Sequence, residues 1–467
     1  MARRPTMTLV AVGTAVLSYA LMQTMVVPAL HVLQQDMRTT ATWSAWILSV
    51  FLLTSAATTP LLSRLADRYG RRRMLLVVLG IYLVGTVGAA AVNSIGLLIA
   101  CRAVQGVSLA ALPISFGVVG DALPAARQRA GHGLVSGAIG VGAGIGLVVG
   151  GGVTDHASWR WLFVLTAVLV VVAIGLVARY VPTDRPGGAG SVDLAGAALL
   201  ALLLVAVLLI LTEGPAWGWT DPGTFALFGA ALVLLVVLVA VERRANAPLI
   251  DPAVVAGGAL RAVHVAAFIF GLVSFVFYVS LPAFAQTAPG QPLPGGGTVG
   301  YGLGAGVTIA GLILLPGSVV LLPAGPLGSY LYRHFSARVV LLASFLVMAA
   351  GAVALAVWNA TGWELTAGYL VVGAGSGVVL GSLPALISSL TEARRAATAN
   401  GVNTVLRTVG GVVGSQLTVA LLAAQHAAGS AVPARAGFTT AFLVAAGFAM
   451  VGGLACWAVT VRFDGGK

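Results

Sequence analysis

Leu61-Leu-Ser-Arg-Leu-Ala-Asp-Arg-Tyr-Gly-Arg-Arg-Arg-Met-Leu75 carries five arginines and one aspartate between two apolar runs. Each run is long enough to cross a bilayer as a helix, which takes about 20 residues. A charged loop this short, with an apolar helix leaving on each side, belongs at a membrane surface. Short arginine-rich loops stay on the cytoplasmic side. The stretch therefore orients the second and third spans, and the rest of the chain is threaded from it.

Composition agrees with this start. The 467 residues are 59% hydrophobic and 8% charged, with a mean hydropathy of +1.02. Soluble domains carry about 25% charged residues. The expected class is an all-α integral membrane protein, because barrel strands would alternate over about ten residues instead of running unbroken. Apolar runs fall near residues 8–30, 44–63, 73–93, 95–119, 130–154, 159–181, 192–212, 222–241, 259–286, 300–330, 336–358, 364–390, 397–425 and 437–461. That predicts 14 transmembrane helices with both termini cytoplasmic. The first run is too long for a signal-peptide core and reads as a span.

The basic residues segregate accordingly. With the N-terminus inside, only Arg38, Arg160 and Arg435 fall outside, and only Arg102 and Arg407 fall within spans. The net charge of +12 is thus a topology signal, and no nucleic-acid partner is expected. Cys101 and Cys456 lie in apolar runs and form no disulfide or metal pattern. No nucleophile elbow, phosphate loop or His/Glu metal pair is present. The chain reads as no enzyme, with no cofactor and no metal.

A weak internal repeat is visible. Gly106 to Pro113 echoes Gly377 to Pro384, and a short basic loop follows each. A six-span unit at 8–181 recurs at 259–461, with two spans inserted between. The expected organisation is an N-terminal six-helix bundle (1–181), a linker with two extra helices (182–258) and a C-terminal six-helix bundle (259–467). Repeated halves around a midplane site are a common plan of secondary transporters.

The opening loop resembles the signature between spans two and three of the major facilitator superfamily, Gly-x-Leu-Ala-Asp-Arg-x-Gly-Arg-Arg, with Ser63 in place of the first Gly. The resemblance implies the major facilitator fold, two six-helix bundles here with two inserted helices. It also makes Asp67, Arg68, Gly70, Arg71 and Arg72 a cytoplasmic latch. Gly70 permits a left-handed turn, and Asp67 pairs with an arginine or sits at a helix N-terminus. Arg102-Ala-Val-Gln105-Gly106 resembles a signature of the superfamily's drug:proton antiporters. By that resemblance Arg102, Gln105 and Gly106 serve coupling, with Arg102 facing the cavity.

Gly142, Gly146, Gly150 and Gly151 resemble the antiporter glycine signature, with Leu147 where proline is typical. Four-residue spacing places glycines on one face and lets another helix approach closely. Glu242 to Asp251 and Asn403 to Gly411 look like the fourteen-helix branch. Arg407 lies about 15 Å from the cytoplasmic end of its run, which makes it a functional candidate.

One departure stands out. Met22 occupies the place where this branch often has a carboxylate, and no Asp or Glu lies mid-span. A lipophilic cation is therefore not the expected substrate; a neutral or anionic one is. Gln23, Thr24, Asn403, Arg407, Phe275 and Tyr278 are the candidate cavity residues. The expected activity is export of small hydrophobic molecules (drug, antibiotic or natural product) across the cell membrane by alternating access. Protons are the expected coupling ion and the protein a monomer. The alternatives are a lipid or metabolite transporter without proton coupling, and a membrane receptor or sensor.

Overall fold

Proline and glycine decide where the apolar runs break into helices. The computed structural model describes residues 5–183, 193–218, 220–245, 258–293, 297–391, 393–425 and 432–458. Along the first half run α1 (Pro5–Asp36), α2 (Ala41–Tyr69), α3 (Arg71–Ala91), α4 (Ile95–Gln105), α5 (Ala111–Ala122), α6 (Ala125–His156) and α7 (Arg160–Tyr180). Then come α8 (Leu194–Trp217) and α9 (Pro222–Arg244). The second half holds α10 (Gly258–Gln286), α11 (Val307–Val319), α12 (Leu321–His334), α13 (Ala337–Val357), α14 (Gly362–Leu390), α15 (Ala393–Ala424) and α16 (Arg435–Ala455). Residues 246–251 of the linker stretch lie outside the described residues.

Every expected apolar run forms a helix, and twelve helices among the described residues are long and apolar enough to cross a membrane. The tenth run differs. It starts at Val307 rather than near 300, because Gly302 and Gly304 hold positive φ and keep the chain irregular. It then divides into α11 and α12 around Val320. Pro316 and Pro323 flank the break, and proline cannot continue the ladder of backbone hydrogen bonds. The fourth run is also interrupted, by a tight 3-10 segment at Gly106–Ala110.

Packing follows the repeat. Within the first half α1 lies along α6; within the second, α10 lies along α15. Across the halves α2 meets α15, and α6 meets α11. Glycine makes each approach possible. A Cβ on Gly142 would stand 2.7 Å from the Ala20 Cβ, and one on Gly146 or Gly150 would collide with Thr24 or the Met25 carbonyl. Gly410 and Gly414 meet the Phe268 and Leu272 carbonyls in the same way. Gly151 looks the other way, across the halves, where its Cβ would lie 2.5 Å from the Thr308 Cα.

The inserted pair is placed asymmetrically. α8 packs on both α2 and α15, so it covers one of the two seams between the halves. α9 packs behind it and exposes Phe225, Leu232, Val233 and Val236. Such apolar exposure is foreign to a soluble surface and suits contact with lipid.

Overpacking at a helix crossing costs about 1–3 kcal/mol, or more where backbone must move. Gly410→Val is expected to lower the melting temperature of the detergent-purified protein clearly. Gly229→Ala, in α9 with open space beside it, is expected to leave it unchanged. Equal melting of the two variants would refute the close-approach account.

Candidate functional site

Gly70 closes α2 and opens α3 with φ 98° and ψ 133°, a left-handed φ that the tight turn requires. The turn brings Arg71 beside Asp67 at 3.1 Å and Asp121 of α5 at 2.5 Å. Arg71 also donates to the Gly117 carbonyl at 2.9 Å. Arg72 donates to the Ala178 carbonyl at the end of α7. These contacts tie α2, α3, α5 and α7 together within one half. Arg68 lies over the Tyr69 ring at 5.2 Å. We call this the arginine-rich end.

Arg102 is fully buried. Its Nε donates to the Ile47 carbonyl at 3.1 Å and its Nη1 to the Gln105 Oε1 at 2.7 Å. Gln105 in turn donates to Thr86 at 3.1 Å. The guanidinium also lies 4.2 Å from the Phe51 ring centre, a favourable cation–π contact in a dry setting. The i, i+3 spacing of Arg102 and Gln105 makes this cluster. Gly106 completes it by admitting α2: a Cβ there would stand 2.7 Å from the Phe51 carbonyl oxygen. Ser55 then donates to the Gly106 carbonyl at 2.8 Å. The resemblance implied that Arg102 faces the cavity; it is not among the lining residues. Phe51 stacks on Tyr19 at 5.9 Å, and this pair of rings stands between the guanidinium and the open space.

The cavity lies between the halves and holds about 870 Å³ of empty space, counting its open mouth. The first half supplies Gln23 and Thr24 of α1 and Ala143 of α6; the second supplies Phe275 and Tyr278 of α10, Tyr369 of α14 and Arg407 of α15. Phe275 and Tyr278 meet edge to face at 5.5 Å. Phe270 of α10 also lines the cavity, whereas Phe277 stacks on Phe442 and Phe284 packs on Phe438. Asn403 does not reach the cavity. It is buried against α10, donating to the Val263 carbonyl at 3.3 Å and lying 3.4 Å from the His264 ring. Sequence reasoning missed Tyr19 and Tyr369. Tyr19 stands one helical turn before Gln23, and Tyr369 shares an i, i+3, i+4, i+7 face with Val372, Gly373 and Ser376. That spacing was a readable signal.

Opposite the arginine-rich end the halves are clasped. Asp155, at the end of α6, accepts hydrogen bonds from the Val307 and Thr308 amides at 3.1 and 2.8 Å. These are the first amides of α11, whose own cap residue, Gly306, has no side chain. A carboxylate of one half thus caps a helix of the other. In the other seam, Gln416 donates to Ser49 at 2.6 Å, linking α15 to α2. The sequence marked Asp155 only as a residue near a span end; its role depends on which amides face it.

The sequence profile described as Major Facilitator Superfamily matches residues 12–415. Multidrug resistance protein 3 of Bacillus subtilis (strain 168) is 26% identical over 375 residues, 79% of this chain and 70% of that protein. Puromycin resistance protein pur8 of Streptomyces alboniger is 35% identical over 279 residues, 58% of this chain and 55% of that protein. The Tetracenomycin C resistance and export protein of Streptomyces glaucescens is 26% identical over 441 residues, 90% and 77% of the two chains. Among solved structures, the crystal structure of the human organic anion transporter MFSD10 (TETRAN) superposes with a TM-score of 0.66. It is 15% identical and covers 97% of this chain and 99% of that one. At that identity the likeness concerns the fold.

Removing a helix cap costs about 1 kcal/mol, roughly fivefold in an equilibrium. Asp155→Ala is therefore expected to shift the clasped end toward open by about that factor. Spin labels on Ser158 and Thr298 would report it as a longer mean distance. An unchanged distance distribution would remove Asp155 from the closure.

Proposed function

We propose that this chain, which belongs to the Major Facilitator Superfamily, is an exporter of small hydrophobic molecules that works by alternating access. The observation that carries the reading is a central cavity walled by both halves, which Asp155 and Gln416 tie together at the end opposite the arginines. The curated relatives are named as resistance and export proteins, which supports a transporter and not an enzyme. The two six-helix halves (1–181 and 259–467) rock about the cavity. The two inserted helices bring the crossings to fourteen and keep both termini in the cytoplasm. The protein works as a monomer in the cell membrane.

In this reading the arginine-rich end is cytoplasmic, and the clasp of Asp155 closes the outer face. The cavity then faces inward, ready to load. Asp67 and Arg71 couple the turn between α2 and α3 to α5, so strain arriving through α2 is delivered to the helix ends around Asp121. Protons supply the driving force. The lack of a mid-span carboxylate favours a second reading, a lipid or metabolite mover without proton coupling.

Two outcomes decide between these readings. In inverted membrane vesicles, substrate accumulation is expected to collapse when the pH gradient is dissipated; unchanged accumulation favours the uncoupled mover. The Asp67 and Arg71 side chains are 58% and 27% exposed. A pair this exposed contributes at most about 1 kcal/mol. Asp67→Asn is thus expected to fold at normal abundance and melt within a few degrees of wild type, yet lose transport at least tenfold. Wild-type flux would return the loop to a topological anchor.

A further inference from the structure

The cavity carries charge of one sign only. Arg407 lines it, and no Asp, Glu or His is among the described lining residues. Arg407 lies some fourteen residues into α15, about 21 Å along the helix, and has no ion-pair or hydrogen-bond partner among the described residues. The second buried guanidinium, Arg102, stands behind the wall and reaches it through two stacked rings, Phe51 and Tyr19. The carboxylates of the described residues all sit at or near helix ends. Two cations therefore act on the cavity, and no carboxylate is among its described lining residues.

The two arginines differ in one respect. Arg102, behind the wall, gives its Nε to the Ile47 carbonyl and its Nη1 to Gln105, and its Nη2 is buried without a hydrogen-bond partner. Arg407 keeps its planar fork for whatever enters. A guanidinium in a low-dielectric site is costly to leave uncompensated and suits a planar anionic oxygen pair. The remaining wall is aromatic: Tyr19, Phe270, Phe275, Tyr278 and Tyr369. Those rings accept a flat apolar body.

Building on the transport reading above, we propose that the substrates are amphipathic organic anions, bound with a carboxylate, sulfonate or acidic phenol on Arg407 and a ring system against Tyr19, Phe275 and Tyr278. A lipophilic cation of the same shape meets the Arg407 guanidinium with no carboxylate among the described lining residues and is disfavoured.

Fluorescein, an anion, and rhodamine 123, a cation, share one ring framework and serve as probes. Equilibrium binding of each is measured on the purified full chain, and flux of each in inverted vesicles. Wild type is expected to bind fluorescein at least tenfold more tightly than rhodamine 123. Arg407→Gln is expected to lose at least tenfold in fluorescein affinity, while Arg407→Lys, which keeps the charge, loses much less. Preference for rhodamine 123, no binding of fluorescein, or equal fluorescein affinity in Arg407→Gln overturns the anion site. Arg407-dependent fluorescein binding without flux of either dye sinks the transport reading and leaves the anion site standing. Should Arg407→Gln fail to fold, the wild-type preference and the Arg407→Lys affinity still decide.

Discussion

Two guanidinium groups lie inside this helical bundle with no carboxylate beside them. A charge that leaves water for hydrocarbon must find polar partners or become very costly. Arg102 finds neutral ones: a carbonyl, an amide side chain and the face of an aromatic ring. That requirement reaches far. It fixes Gln105 three residues on, Thr86 behind Gln105, and Gly106 where α2 must come close enough to present Ile47 and Phe51. The 3-10 segment that follows keeps α4 and α5 in one span around this contact. Phe51 in turn sets Tyr19 in the cavity wall. A charge buried at one place thus organises the first half and hands its field to the centre.

The backbone contacts between helices rest on glycine instead of side-chain fit. Lipid is as apolar as leucine, so no hydrophobic drive separates the helices from the bilayer. Close approach gains dispersion contacts that lipid cannot reproduce. α1 on α6 and α10 on α15 use this device in corresponding places, which keeps each half stiff. Gly151 and Gly311 use it across the seam between the halves, where a Cβ on Gly311 would collide with the Leu147 carbonyl. The other seam is covered by α8. The two seams are therefore unlike, although the halves that form them repeat.

Much of this was legible in the sequence, for identifiable reasons. Span existence follows from hydropathy, so every apolar run emerged as a helix. The fork of Asp67 with Arg71, the positive φ of Gly70 and the packing of the glycine face follow from short-range geometry, which spacing reveals. What failed depended on neighbours distant in the chain. Arg102 was expected at the cavity, but whether it arrives there depends on Phe51 and Tyr19, 51 and 83 residues away. Asn403 was expected there too, but the polar atoms of α10 claim it. The break between α11 and α12 was signalled by Pro316 and Pro323, yet hydropathy averages over both. Asp155 carried no local signal, because its partners are backbone amides in the other half.

The placement of acids and bases then forms one scheme. Aspartates at helix ends remain near water, where a carboxylate can exchange partners at little cost. Asp155 holds the amides at the start of α11, and Asp67 and Asp121 share Arg71. Each of these groups can be solvated when released. The arginines inside cannot be released to water without opening the bundle. Arg102 is tied by neutral partners, whereas Arg407 has no hydrogen-bond partner among the described residues. Exposed charge lends itself to switching and buried charge to selection.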